Sequence, residues 1–146
     1  MLSTLCLTLE VALLAGGVPP AVETPLIPGY EVLRQDVAIS GQPSPQGLGR
    51  LGQMGFRTIV NLRTPAEGPA DERGIIEAQG LRYVNIPVRG VVTPEAVRAL
   101  HAVLSDPGAG PTLVHCASGR RARAAWRALL RSRSPGGNPA SADSLN

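Results

Sequence analysis

"TLVHCASGRRARAAW", Thr112 to Trp126, runs a short apolar strand into one cysteine, a glycine turn and an arginine-rich helix. The apolar run is bounded by turn signals, as in a buried strand, and beyond it Ala122, Ala125 and Leu129 recur at helical spacing. Cys116 therefore stands at the carboxyl end of a strand and just ahead of a helix. In open α/β sheets that position is where ligands bind.

The residues before it repeat the same alternation. "EVLRQDVAIS" (Glu31–Ser40) reads as a bent strand or small hairpin, and "SGQP" (Ser40–Pro43) as a turn. "SPQGLGRLGQMG" predicts a helix capped by Ser44, with Pro45 at its first position, Leu48, Leu51 and Met54 on one face and Gly55 as its stop. "RTIVNL" (Arg57–Leu62) is a strand, "ADERGIIEAQG" (Ala70–Gly80) a helix closed by Gly80, and "LRYVNIPV" (Leu81–Val88) another strand. "TPEAVRALHAVLSD" is a helix with Thr93 as cap and Val97, Leu100 and Leu104 as its buried stripe. Such a series predicts one three-layer α/β/α domain with a mostly parallel sheet of four to five strands and right-handed crossovers.

Composition narrows the class. A chain of 146 residues is long enough for one core. With aromatics at only 3%, no base-stacking surface and no nucleic-acid partner are expected. All 14 basic residues are Arg, and Arg120, Arg121, Arg123, Arg127, Arg131 and Arg133 lie in a single segment, so the remaining chain is net negative. For Arg127, Arg131 and Arg133 the expected role is a solvated helix face.

The leader "MLSTLCLTLEVALLAGGVPP" (residues 1–20) has signal-peptide length and an Ala15-Gly16-Gly17 stretch suited to cleavage, which points to the periplasm or cell envelope. Glu10 within the apolar run and the lack of any basic residue before it leave a cytoplasmic chain as the alternative. No later stretch reaches the ~20 apolar residues of a membrane span. The folded domain is expected over 21–133, and the Ser/Pro/Gly-rich residues 134–146 are expected to lack order. Cys6 lies in the leader, so Cys116 is not expected to form a disulfide with it.

The turn at Cys116 has a specific chemistry. A strand-to-helix turn aims unpaired backbone N–H groups and the positive helix end at the sulfur, which stabilises a thiolate. The same N–H groups bind tetrahedral oxyanions, so Ala117, Ser118, Gly119 and Arg120 are candidate substrate-binding residues. Arg121 offers two parallel donors to a phosphate or sulfate edge. His115 could brace the loop through neighbouring carbonyls or be a satisfied core histidine. No metal or cofactor is implied; the expected ligand is a phosphate monoester or another small anion.

"HCASGRR" after a strand, preceded by "ISGQPSPQGL" and "GFRTIVNLR", resembles the bacterial beta-lactamase hydrolase-like, dual-specificity-phosphatase-like family of the cysteine-phosphatase superfamily. Its pattern His-Cys-x-Ser-Gly-x-Arg is matched by His115, Cys116, Ser118, Gly119 and Arg121, and the resemblance covers about Ile27 to Leu130. The resemblance implies a cysteine-phosphatase fold and a phosphatase in which Cys116 attacks the phosphorus, Arg121 holds the equatorial oxygens and water releases phosphate.

Mainstream cysteine phosphatases have one more residue between Cys and Arg, a Ser or Thr after the Arg, and an Asp as general acid. Here four residues separate Cys116 from Arg121, Ala122 follows, and "PVRGVVTPE" offers only Glu95, whose place at a helix start favours a dipole role over an acid role. The four-residue spacing also resembles the active loop of rhodanese sulfurtransferases, and "NLRTPAE" (Asn61–Glu67) is similar to one of their strand ends. On that reading Cys116 carries a persulfide, although the Gly-His-Ile and Gly-Gly-x-x-x-Trp segments of that family are missing. A third reading is an oxyanion-binding module without turnover.

Overall fold

The computed structural model describes residues 16–134. The expectations for Cys6, for most of the leader and for residues 135–146 fall outside that range. Strands β1 (Glu31–Arg34), β2 (Val37–Ser40), β3 (Thr58–Asn61), β4 (Arg82–Asn85) and β5 (Thr112–His115) form one sheet in the order β1-β2-β5-β3-β4. Only β1 is antiparallel; β2, β5, β3 and β4 run parallel. Helices α1 (Pro45–Leu48), α2 (Ala70–Glu77), α3 (Pro94–Ser105) and α4 (Arg120–Arg133) connect or follow the strands.

β2, β3 and β5 are buried along their whole length, as in a sheet covered on both faces. Successive residues point to opposite faces. Ala38, Ile59 and Leu113 therefore pack with Leu48, Leu51, Phe56 and Ile76 on the α1/α2 side. Ile39, Val60 and Val114 pack with Ala96, Leu100, Val103, Ala122 and Ala125 on the α3/α4 side. The result is the three-layer α/β/α architecture expected from the alternation of elements.

Details of the elements differ from the sequence expectation in instructive ways. Glu31–Ser40 is the hairpin rather than the single bent strand, with a register irregularity between Val32 and Arg34. The first helix keeps its Ser44 cap, whose Oγ accepts from Gly47 N–H, yet it stops at Leu48 and continues as turns toward Gly55. Gly47 is required there, because a Cβ would lie 2.1 Å from the Leu26 carbonyl oxygen. On α3 the deeply buried residues are Ala96, Leu100 and Val103, while Val97 and Leu104 are half-buried. α3 packs against α4 and shares one core cluster with Val60 and Val114, so the face it buries runs through Ala96, Leu100 and Val103 rather than through its bulkiest residues alone. α4 buries Ala122, Ala125 and Leu129 as expected, and Arg127, Arg131 and Arg133 are exposed. Near the start of the described residues, Val18 is in the core and its N–H bonds the Gln35 carbonyl at 2.8 Å. Val18, ahead of residue 21, therefore packs against the domain.

The register does one thing that matters for the site. Ser40 pairs with His115, His115 with Asn61, and Asn61 with Asn85, so each parallel strand ends on a polar residue in one row. β5 lies between β2 and β3, so Cys116 emerges between Gly41 and Leu62 at the centre of that row.

Leu113 is fully buried in the central strand. Replacing it with alanine is expected to lower the unfolding free energy by about 2–5 kcal/mol, the range for a buried Leu truncation, as read by urea denaturation.

Candidate active site

Cys116 follows β5 directly, and Gly119 caps α4 with φ of +86°, a conformation that glycine adopts without strain. Gly119 also lies close to Gly41, where an added Cβ would come within 3.3 Å of the Gly41 nitrogen. The "SGQP" turn is the floor on which the loop sits: Gln42 N–H bonds Ala117 O at 2.9 Å, and Cys116 N–H reaches Ser40 O at 3.4 Å. Gly119 N–H donates to Cys116 Sγ at 3.0 Å. The backbone of Gly119, rather than the Ser118 hydroxyl, thus meets the sulfur.

Cys116 is free and fully buried, whereas Ala117, Ser118 and Arg120 are exposed. The Ser118 hydroxyl sits 3.4 Å from Arg120 Nε. Burial alone would suit an inert core thiol. The hydrogen bond from a helix-start N–H is the specific feature, because it is the contact that a thiolate or a bound oxyanion takes up.

Arg121 is held on the same side. Its Nη1 and Nη2 donate to Glu67 Oε2 and Oε1 at 2.8 and 2.6 Å, a two-point pairing. Nη1 also donates to Val88 O at 3.0 Å. The Arg121 pKa is raised, first by Glu67 and in smaller part by the nearby Cys116. Glu67 is fixed in turn: Thr64 N–H and Oγ1–H donate to its Oε2 at 2.7 and 2.9 Å. Arg121, and after it Thr64, hold the Glu67 carboxyl at about 2.

Behind the loop lies a second carboxylate. Glu72 enters from α2 and is 4% exposed. It accepts from Asn61 Nδ2 at 2.9 Å, from Arg63 Nη2 at 2.5 Å and from Gln42 Nε2. His115 Nε2 is 3.2 Å from Glu72 Oε2, close but misaligned for a hydrogen bond, and His115 Nδ1 has no partner among the described residues. Burial pushes the Glu72 pKa up, but His115, Gln42 and Arg63 together outweigh it and leave the pKa lowered. Asn61 also accepts from Arg63 N–H and donates to the Tyr83 hydroxyl at 3.1 Å.

Of the residues singled out from sequence, His115, Cys116, Gly119 and Arg121 converge here. Glu95 lies at the start of α3, exposed, with Arg98 Nη2 donating to it at 2.9 Å. Its own backbone N–H and Arg98 lower its pKa. Sequence reasoning missed Gln42, Asn61, Arg63, Glu67 and Glu72 as site residues. For Gln42, Asn61, Arg63 and Glu67 the one available signal was a polar residue at or just past a strand end, where the loops of such sheets gather; Glu72, inside α2, carried none.

The chain matches the family described as "Beta-lactamase hydrolase-like protein, phosphatase-like domain" over residues 29–131. A beta-lactamase hydrolase-like protein of Xylella fastidiosa is 34% identical over 96 residues, covering 62% of this chain. The match spans only 22% of that relative's own length. A crystal structure of a candidate phosphatase of the DUF442 class from Shewanella putrefaciens superimposes with a TM-score of 0.66 at 26% identity, covering 77% of this chain and 73% of that one. The core catalytic domain of a PP-IP phosphatase from S. cerevisiae, in complex with citrate, gives a TM-score of 0.59 at 20% identity over 75% of this chain and 71% of that one, a likeness of fold.

Two stability tests follow from the carboxylates. Glu72→Ala leaves Arg63 and Asn61 without their buried partner and is expected to cost roughly 3–5 kcal/mol, the range for breaking a buried pair, in chemical denaturation. Glu67 is held near 2 against an ordinary value of 4.5, so its contribution is complete above pH 4.5 and is lost as pH falls toward 2. Melting temperature should be flat above that window and decline within it, and the decline should be shallower in Glu67→Gln.

Proposed function

On the premise that the chain belongs to the phosphatase-like domain family of beta-lactamase hydrolase-like proteins, we propose that it hydrolyses phosphate monoesters through a phosphocysteine on Cys116. The observation that carries this reading is the pairing of the Gly119 N–H with Cys116 Sγ beside a fixed Arg121. The N–H groups of residues 117–120 and the free edge of the Arg121 guanidinium hold three phosphate oxygens. The Cys116 sulfur attacks phosphorus from the side opposite the ester oxygen. An S–P bond forms as the P–O bond breaks, and the departing oxygen takes its proton from solvent. Water then attacks the phosphocysteine, the S–P bond breaks, and phosphate leaves with the thiolate restored. His115 lies next to Cys116 at the end of β5, with its Nε2 3.2 Å from Glu72 Oε2.

The surroundings of Glu95 and Glu67 both favour the ionised form, and an ionised carboxylate has no proton to give. A general acid contributes roughly 10²–10⁴ in rate. Without one, the substrates best served are those whose leaving group departs readily as an anion, such as aryl phosphates and phosphoric anhydrides. Wild-type protein should therefore hydrolyse p-nitrophenyl phosphate on the order of 10² times faster than a simple alkyl phosphate. Cys116→Ser should abolish both activities, and purified wild-type protein that turns over neither would refute the reading.

The complete burial of Cys116 favours one other reading, oxyanion binding without turnover. It requires phosphate affinity that persists in Cys116→Ser and is lost in Arg121→Ala.

A further inference from the structure

Around the active loop the carboxylates are already taken: Glu67 pairs with Arg121, Glu72 with Arg63, and Glu95 with Arg98. Two arginines beside the loop have no such match. Arg89 and Arg120 are exposed and make no ion pair among the described residues. Arg120 belongs to the loop itself, with its Nε 3.4 Å from Ser118 Oγ. Arg89 follows Val88, whose carbonyl accepts from Arg121 Nη1 at 3.0 Å. Consecutive Cα atoms are about 3.8 Å apart, so Arg89 stands one residue from the backbone that touches Arg121. We infer that Arg89 and Arg120 form a second anion subsite at the mouth, so that the site takes a small substrate bearing a second phosphate beside the one held over Cys116. The inference rests on the phosphatase reading of the loop and names its substrate class.

The two side chains come from different walls. Arg120 opens α4, whereas Arg89 lies in the loop after β4, which Gly90 turns with φ of +75° and where Val91 is 80% exposed. That loop stands clear of the core, so a ligand in the mouth meets it before it meets the interior. A guanidinium offers a phosphate two parallel N–H donors, and a cation without a counter-ion has no partner to give up on binding. Exposed charges are screened beyond about 8 Å at physiological salt. The pair therefore acts on a group close to the scissile phosphate and little on remote ones. Arg127 and Arg131 of α4 are also exposed and unpaired among the described residues. At 1.5 Å per residue they begin roughly 10 Å farther along the helix than Arg120, outside that range.

The test compares methylphosphonate with methylenediphosphonate, which adds a second phosphonate group and has no ester to hydrolyse, each titrated calorimetrically into the full chain. The quantity read is the ratio of the two affinities within each variant, so a general loss of anion binding cancels. At about threefold for each exposed arginine, the wild-type protein should favour methylenediphosphonate on the order of tenfold. Arg89→Gln with Arg120→Gln should bring the ratio close to one. Arg127→Gln with Arg131→Gln, which removes the same charge farther along α4, should keep the wild-type ratio. If the first double variant does not fold, Arg89→Gln alone carries the test, with a fall of about threefold expected. A wild-type ratio near one overturns the subsite, and so does a preference that survives loss of both arginines. An equal fall in the Arg127/Arg131 variant also overturns it, because the preference would then come from overall charge. Any of these results beside Cys116-dependent turnover of p-nitrophenyl phosphate leaves the phosphatase reading standing. Binding of neither phosphonate by the wild-type protein overturns the oxyanion reading of the loop and the subsite with it.

Discussion

Glu72 carries a carboxylate into the interior at the carboxyl end of the sheet, and most of the site is arranged around satisfying it. An unpaired buried charge is costly, and it persists only when donors surround it. Gln42 comes from the loop after β2, Asn61 from the end of β3, Arg63 from the loop beyond it, and His115 from the end of β5. Of these, Gln42 and His115 are distant in sequence from the Asn61–Glu72 stretch. Meeting around one carboxylate sets the spacing between the loops that flank Cys116, so the electrostatic requirement of the interior also fixes the mouth of the site.

The same chemistry recurs toward the surface with a different consequence. Glu67 and Arg121 pair at 18% and 32% side-chain exposure for the Arg and the Glu, where a two-point geometry and the Thr64 contacts matter more than charge alone. Around this pair the backbone is packed closely: Gly41 and Gly119 meet where larger side chains would push the active loop off its floor. A rigid turn, a held arginine and an N–H aimed at sulfur are the parts that an oxyanion site needs before any ligand arrives.

Much of this could be read beforehand, though unevenly. The inward face of α4, Ala122, Ala125 and Leu129, followed from spacing alone, because a helix lying on a buried sheet has little freedom in which residues it hides. α3 buries Ala96 and Val103 where Val97 and Leu104 were expected, because the bulk of an apolar residue does not by itself say which helix face meets its neighbours. The first helix stops at Leu48, and Gly47 inside it lets the backbone approach the Leu26 carbonyl, neither of which local helical preference reveals. "NLRTPAE" stood out in the sequence for its likeness to a sulfurtransferase strand end; its contact with Arg121, by contrast, spans more than fifty positions and is invisible to local reading.

The sequence by itself determined the alternation of elements, the parallel sheet, and the placement of one cysteine and one arginine at a strand-to-helix turn, because these depend on periodicity and on short-range spacing. Only the tertiary structure decided which carboxylates face that turn. Strand order inserts β5 between β2 and β3, and only that arrangement brings Glu67 to Arg121 and Glu72 to His115. Pairings between distant loops are set by the register of the sheet and by the need to satisfy buried charge, and neither is written in any local stretch of the chain.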